Sequence, residues 1–166
     1  LPVAADANIE FVLAKQDPNG LPTNGIVRVQ GTKTSYDPNT DATLIGQLSQ
    51  WNPEEYMNLW VVPLVQPYIG YASFPISDLP GLNFSPTPAI MDGVTIDYRY
   101  FGVGGNASSG SLGRTATHEV GHYFNLRHIW GDRRCGTDYV NDTPAHDGAN
   151  YGCPATGHAS KCQGRP

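Results

Sequence analysis

The segment His118-Glu119-Val120-Gly121-His122 sets two imidazoles four residues apart, with a carboxylate beside the first, and a third imidazole, His128, follows after five more residues. Residues four apart on a helix share one face, so His118 and His122 can aim two nitrogens at a single metal ion. Glu119 stands where a carboxylate can take a proton from water at that metal. His128 is too far along to share the face unless the helix stops; bent back, it supplies a third nitrogen. Three protein ligands with a fourth position open is the pattern of catalytic rather than structural zinc. The stop is also legible. Asn125 falls where the extended pattern H-E-x-x-H-x-x-G-x-x-H carries Gly, and Asn is the next most tolerant residue of the left-handed backbone that ends a helix.

These groups need a helix beneath them and a scaffold behind it. The metal helix is expected to begin near Ser111 or Leu112, with Ser111 as its cap, and to end near Asn125. The Gly/Ser-rich stretch 102–113 before it lacks both G-x-G-x-x-G and G-K-[ST], so it reads as a connector, not a phosphate cradle. Strand candidates precede it: Ile9–Ala14, Ile26–Gln30, Leu59–Val65 with Pro63 as an irregular point, Ile69–Phe74, and Val94–Phe101, whose alternation is the clearest. Asn52-Pro53-Glu54-Glu55 reads as a helix start. Asp37–Asp41 reads as an Asx turn in preference to a calcium loop, since it lacks the Gly and Glu of an EF-hand. Strands first and a metal helix after them give an α+β fold, a twisted sheet backed by helices.

The chain has 166 residues, enough for one domain with a real core; 19 Gly and 14 Pro against 15% charged residues describe a loop-rich globular protein. A net charge of −5 argues against a nucleic-acid partner. No apolar run approaches the roughly 20 residues of a membrane helix. The first residue is Leu1, which reads as a mature or trimmed product whose targeting segment is missing.

Cys135, Cys153 and Cys162 all follow the metal motif, and none forms a C-x-x-C pair. In a Gly/Pro/Asp-rich region they suggest disulfide staples and an oxidising compartment. Three is odd: either one thiol is unpaired or its partner lies beyond Pro166, and the polar, turn-like Lys161–Pro166 end favours the second. His146 and His158 have no second spacing to support a metal role, and Tyr123 and Trp130 read as packing around the motif. Three N-x-[ST] matches, at Asn83, Asn106 and Asn141, carry little weight without the host.

The run Thr117-His118-Glu119-Val120-Gly121-His122-Tyr123-Phe124-Asn125-Leu126-Arg127-His128-Ile129-Trp130-Gly131-Asp132 resembles the active-site segment of the pappalysin family of metzincin metallopeptidases, in its small secreted, ulilysin-like prokaryotic form. Residues 8–22, 58–63, 70–75, 92–102, 142–144 and 152–154 match as well, so the resemblance covers nearly the whole chain. It implies a metzincin-type catalytic domain over residues 1–166: a mixed five-stranded sheet with backing and active-site helices, then a loop-rich C-terminal part. Residues 1–128 would be the upper subdomain with the zinc-binding helix, and 129–166 the start of an incomplete lower one.

Carried over by position, His118, His122 and His128 bind zinc and Glu119 is the general base and acid. Gly70, Tyr71, Ala72 and Ser73 lie on the upper-rim edge strand, where substrate could pair by β-augmentation. Asp138, Asn141, Asp142 and Thr143 are the candidates for a structural calcium ion. The family pattern pairs Cys135 with Cys162 and sends Cys153 to a cysteine further on. It also requires a methionine turn after the third His, yet the methionines are Met57 and Met91, both upstream. The C-terminal piece is therefore expected to be missing here.

The function expected is a secreted, extracellular zinc endopeptidase acting on proteins or peptides, with no nucleic-acid or membrane partner. The resemblance adds a pro-segment in the precursor and a preference for a basic residue after the scissile bond. The competing expectation is a peptidase-like module that binds peptides without cleaving them; Glu119 counts against it, because pure binding makes no use of that carboxylate.

Overall fold

The centre of the fold is the stretch with the clearest strand pattern. The computed structural model describes residues 6–83, 85–152 and 155–162. Its elements in chain order are helix α1 (Ala42–Ser49), strands β1 (Leu59–Val62), β2 (Gly70–Ala72) and β3 (Val94–Asp97), and helix α2 (Arg114–Tyr123); single helical turns cover Ala89–Met91 and Tyr98–Tyr100. β3 lies between the other two strands. It runs parallel to β1, with Leu59 opposite Val94 and Val62 opposite Asp97. It runs antiparallel to β2, with Gly70 opposite Ile96 and Ala72 opposite Val94. This mixed sheet with its few helices is the α+β class expected.

All four residues of β3 are buried. Alternation had predicted one dry face and one wet one, but a central strand covered on both sides has no wet face. Trp60, Thr95 and Tyr71 share one face by register. It packs into the core of Tyr36, Ile45, Trp60 and Leu64, with Leu44, Leu48 and Val62 around it. The opposite face, with Val94, Ile96 and Gly70, meets α2. Asp97 is fully buried. Its carboxylate accepts from Leu64 N at 2.8 Å and from Arg99 Nε and Nη2 at 2.8 and 2.6 Å. Arg99 Nη2 in turn donates to Leu64 O at 3.1 Å, locking the end of β3 to the chain that leaves β1.

Several expectations shift. β1 stops at Val62, before Pro63, whose missing N–H cannot extend a ladder. Asn52–Glu55 is a turn and not a helix start: Tyr56 N closes on Asn52 O at 3.0 Å, and Glu54 N bonds Asn52 Oδ1 at 3.2 Å. The helix comes earlier, as α1. Its start carries no side-chain cap, since the Asp41 carboxylate accepts from Lys33 Nζ and Asp37 N instead. Gly46 lies within it because a Cβ there would fall 1.7 Å from Ile90 O. Asp37 does form the expected Asx turn, with Asn39 N on its Oδ1 at 2.9 Å.

Ile9–Ala14 and Ile26–Gln30 are irregular and pair with no strand among the described residues. A bridged turn joins them, with Gln16 opposite Pro22 and Thr23 N bonded to Lys15 O at 3.0 Å. Their apolar side chains stay exposed, Val12 at 75%. The described sheet therefore has three strands where the resemblance implied five. After α2 the described chain has no helix or strand and is tied by a disulfide between Cys135 and Cys162. Cys153 lies outside the described residues. No described helix is long and apolar enough to cross a membrane.

Candidate active site

α2 begins at Arg114, after Gly113 in a left-handed conformation, φ 68°. Ser111 is not its cap; the hydroxyl donates to Gly102 O at 3.2 Å, within the connector. Against β2 and β3, the helix buries Glu119 to 6% exposure. His118 and His122 lie one turn apart, as their spacing required.

The helix end is built from named backbone bonds. Asn125 adopts φ 69°. Asn125 N donates to His122 O at 2.8 Å, and Leu126 N reaches Gly121 O at 2.9 Å. That pair of bonds is the Schellman closure of a helix. It reverses the chain and returns His128 to the helix face. It also presents Leu126 O to His122 Nδ1, at 2.7 Å. A carbonyl only accepts, so His122 Nδ1 carries the proton and Nε2 keeps a lone pair. His128 is fixed the same way, its Nδ1 standing 2.6 Å from Asp132 Oδ1.

The three Nε2 atoms converge. His118 to His122 and His118 to His128 are both 3.1 Å, and His122 to His128 is 3.2 Å. Two of these nitrogens already present lone pairs, and lone pairs facing one another repel unless a cation lies between them. Zinc–nitrogen bonds of about 2.0–2.1 Å in tetrahedral geometry place ligand nitrogens roughly 3.3 Å apart, so the cluster fits zinc. Among the described residues no second group of three His, Cys, Asp or Glu side chains converges in this way.

The electrostatics agree. Burial, then the neighbouring imidazoles His122 and His128, lowers the pKa of His118, and burial also lowers that of His122; ligands must be neutral imidazoles. Burial pushes the Glu119 carboxyl up to about 7. A cation at the three histidines would favour the carboxylate again. Gly70 on β2 makes room for this side chain: a Cβ there would stand 3.0 Å from Glu119 Cγ and 3.1 Å from Oε1.

Aromatic rings close the surroundings. Phe74 lies 5.2 Å from His122, and Trp130 stacks face to face on His128 at 4.4 Å and 4°. Arg127 places its guanidinium 5.8 Å over the Tyr139 ring.

Comparisons with known proteins identify relatives of this chain. The Peptidase_M43 family model, described as pregnancy-associated plasma protein-A, covers residues 40–166. The chain belongs to this family, the pappalysins. Mature mirolysin of Tannerella forsythia, solved with a cleaved peptide, superposes with a TM-score of 0.83 at 43% identity, over 98% of this chain and 60% of that one. A promirolysin mutant from the same organism superposes at 0.82 and 41% identity, over 97% and 52%. An extracellular metalloprotease of Podospora anserina is 41% identical over 99 residues, covering 59% of this chain and 32% of that protein. Another, of Verticillium alfalfae, is 35% identical over 122 residues, covering 68% and 39%. The chain thus spans about a third of the curated relatives and little more than half of the solved chains.

The other expected site residues are not drawn into the cluster. Asp138 is buried, with Oδ1 accepting from Val140 N at 3.1 Å, whereas Asn141 and Asp142 are exposed. Ser73 is also buried; its hydroxyl is bonded to Asp92 Oδ1 at 2.8 Å and to Gly93. His146 bonds Gly148 O at 2.6 Å and lies apart from the three histidines. Asp132 escaped the sequence reading as a functional residue; its signal was a carboxylate four residues after the last histidine.

Proposed function

We propose that the protein is a secreted zinc endopeptidase in which His118, His122 and His128 hold the metal and Glu119 moves the proton. The observation that carries this reading is the convergence of three Nε2 atoms at 3.1–3.2 Å, two with fixed lone pairs, beside a buried carboxylate. Bound there, zinc would acidify a water and polarise the scissile carbonyl. Glu119 accepts the proton of the attacking water at its carboxylate and returns it to the departing amine. Burial suits this role, because it favours the protonated form between the two transfers.

Gly70, Tyr71 and Ala72 form the edge of the sheet, since β2 pairs with β3 alone among the described strands. An extended substrate can add there as a further antiparallel strand. The Ser73 hydroxyl is bonded to Asp92 and Gly93, and its N–H continues the ladder to Gly93 O at 3.0 Å.

Extracellular location follows the names of the fungal relatives, and a pro-segment follows promirolysin. Residues 1–128 read as the upper subdomain and 129–166 as the start of the lower. The preference for a basic residue after the cut, and calcium at Asp138, Asn141, Asp142 and Thr143, rest on the family resemblance. Equilibrium dialysis with calcium tests the latter; no uptake removes calcium from the reading.

Digestion of a peptide library, read by mass spectrometry with Glu119→Ala as control, tests the whole. Cleavage by the wild type alone is expected, and the cut sites report the flanking preference. A zinc-loaded wild type that binds peptides without cutting them would favour the binding module.

A further inference from the structure

The three imidazoles are not held alike. His118 and His122 ride on α2, whose backbone bonds set their spacing. His128 lies on the loop after the helix, where no regular element fixes it. Two side chains from the following turn do so instead. Trp130 covers one face of the ring, parallel at 4.4 Å, and Asp132 Oδ1 receives the Nδ1 proton at 2.6 Å.

The turn that delivers Asp132 is tightly specified. Gly131 N closes on His128 O at 2.8 Å, and Gly136 N returns to Trp130 O at 3.1 Å. Gly131 and Asp132 are both left-handed, with φ 60° and 55°. A Cβ at Gly131 would fall 2.3 Å from Thr137 O, so this position admits no side chain. Asp tolerates the left-handed region better than most residues but still adopts it at some cost. The backbone thus takes an unfavoured conformation at the residue whose carboxylate meets His128.

We propose that Asp132 is a positioning residue for the metal: by accepting the Nδ1 proton of His128 it fixes the tautomer, aims Nε2 at the cluster and raises its basicity as a ligand. Carboxylate–histidine pairs act this way on metal ligands, and their loss typically costs 10–100-fold in metal affinity. The proposal rests on the zinc reading above. It explains how a ligand outside the helix reaches the same nitrogen spacing as the two within it. Asp132 is 55% exposed, so its replacement strands no buried charge and leaves the fold intact.

The test is zinc affinity by chelator competition on wild type, Asp132→Asn and Asp132→Ala, with thermal unfolding of each zinc-free protein. Asn keeps an acceptor opposite Nδ1 and loses the charge; Ala loses both. Affinity is expected to fall about tenfold in Asp132→Asn and toward ~100-fold in Asp132→Ala, with unchanged melting of the zinc-free forms. In parallel, nitrogen chemical shifts of the zinc-free proteins should show His128 protonated at Nδ1 in the wild type and mixed between tautomers in Asp132→Ala. Wild-type affinity in both variants, or a loss matched by lower zinc-free stability, overturns the role of Asp132 while leaving the zinc centre standing. A wild type that takes up no zinc removes the centre itself, and this proposal with it.

Discussion

The helix and the loop reach the same histidine cluster by opposite routes. On α2 the spacing of His118, Glu119 and His122 is a property of the backbone, and their surroundings come from packing against β2 and β3. On the loop, His128 is brought back by the reversal at Asn125 and then fixed by one hydrogen bond and one stacked ring. Damage around Glu119 should therefore appear in chemistry, and damage to the support of His128 in metal affinity. A Cβ at Gly70 would press on Glu119 and Thr115, whereas loss of Asp132 would free the His128 ring.

The widest separation is expected from Glu119→Gln. It should lower kcat/KM by roughly 10²–10⁴-fold with zinc retained, read from a quenched fluorescent peptide and metal content; equal turnover would break the assignment. Next comes Gly70→Ala. Its new methyl would meet Glu119 Cγ and Oε1, and misplacement of a catalytic group by about 1 Å can cost ~10²-fold. A fall in kcat with unchanged zinc affinity is expected; a fall in zinc affinity instead would show that the strand supports the ligands too. Smaller still, Asn125→Val should destabilise by about 1–2 kcal/mol, the penalty of a left-handed residue with a bulky Cβ. Asn125→Gly should be neutral or slightly stabilising, and denaturant titration compares the two.

Asp97 comes last, its contribution read from the acid limb of stability. Burial alone would raise its pKa, but bonds from Arg99 and from the N–H of Leu64 outweigh that and hold it below the usual carboxylate range. A carboxylate depressed in the fold contributes stability that is complete above its unfolded value and is lost as pH falls through the folded one. Acid unfolding of wild type against Asp97→Asn, followed below about pH 4, should show the variant lacking that portion of the acid dependence. Identical curves would mean the pair adds nothing.

The site was far more legible in the sequence than the scaffold was. Three chemical groups at fixed helical spacing, and an Asn at the stop before the fourth, depend on local geometry that any helix supplies. β1, β2 and β3 were visible for the same local reason. What escaped depends on distant partners. α1 carries a Gly whose place is set by Ile90 O, a contact no spacing reveals. Ile9–Ala14 and Ile26–Gln30 have strand composition, yet a strand exists only with a partner, and these have none among the described residues. The burial of Asp97 could not be read from the alternation of residues 94–101, because burial on both faces follows from being central. Asp132 was in view, but its role needs two left-handed residues to bend it back to His128.

The Leu126 peptide unit has a consequence for linkage. Its N–H ends α2 on Gly121 O, and its carbonyl holds the His122 ring. Opening the last turn of the helix would therefore release a ligand's second hydrogen bond and the reversal that returns His128 in a single event. Fraying and metal loss become one equilibrium, and ligand binding stabilises whatever state it requires. Zinc would then act as a clasp on the end of α2, and the rate at which the Leu126 amide exchanges with solvent would report metal occupancy.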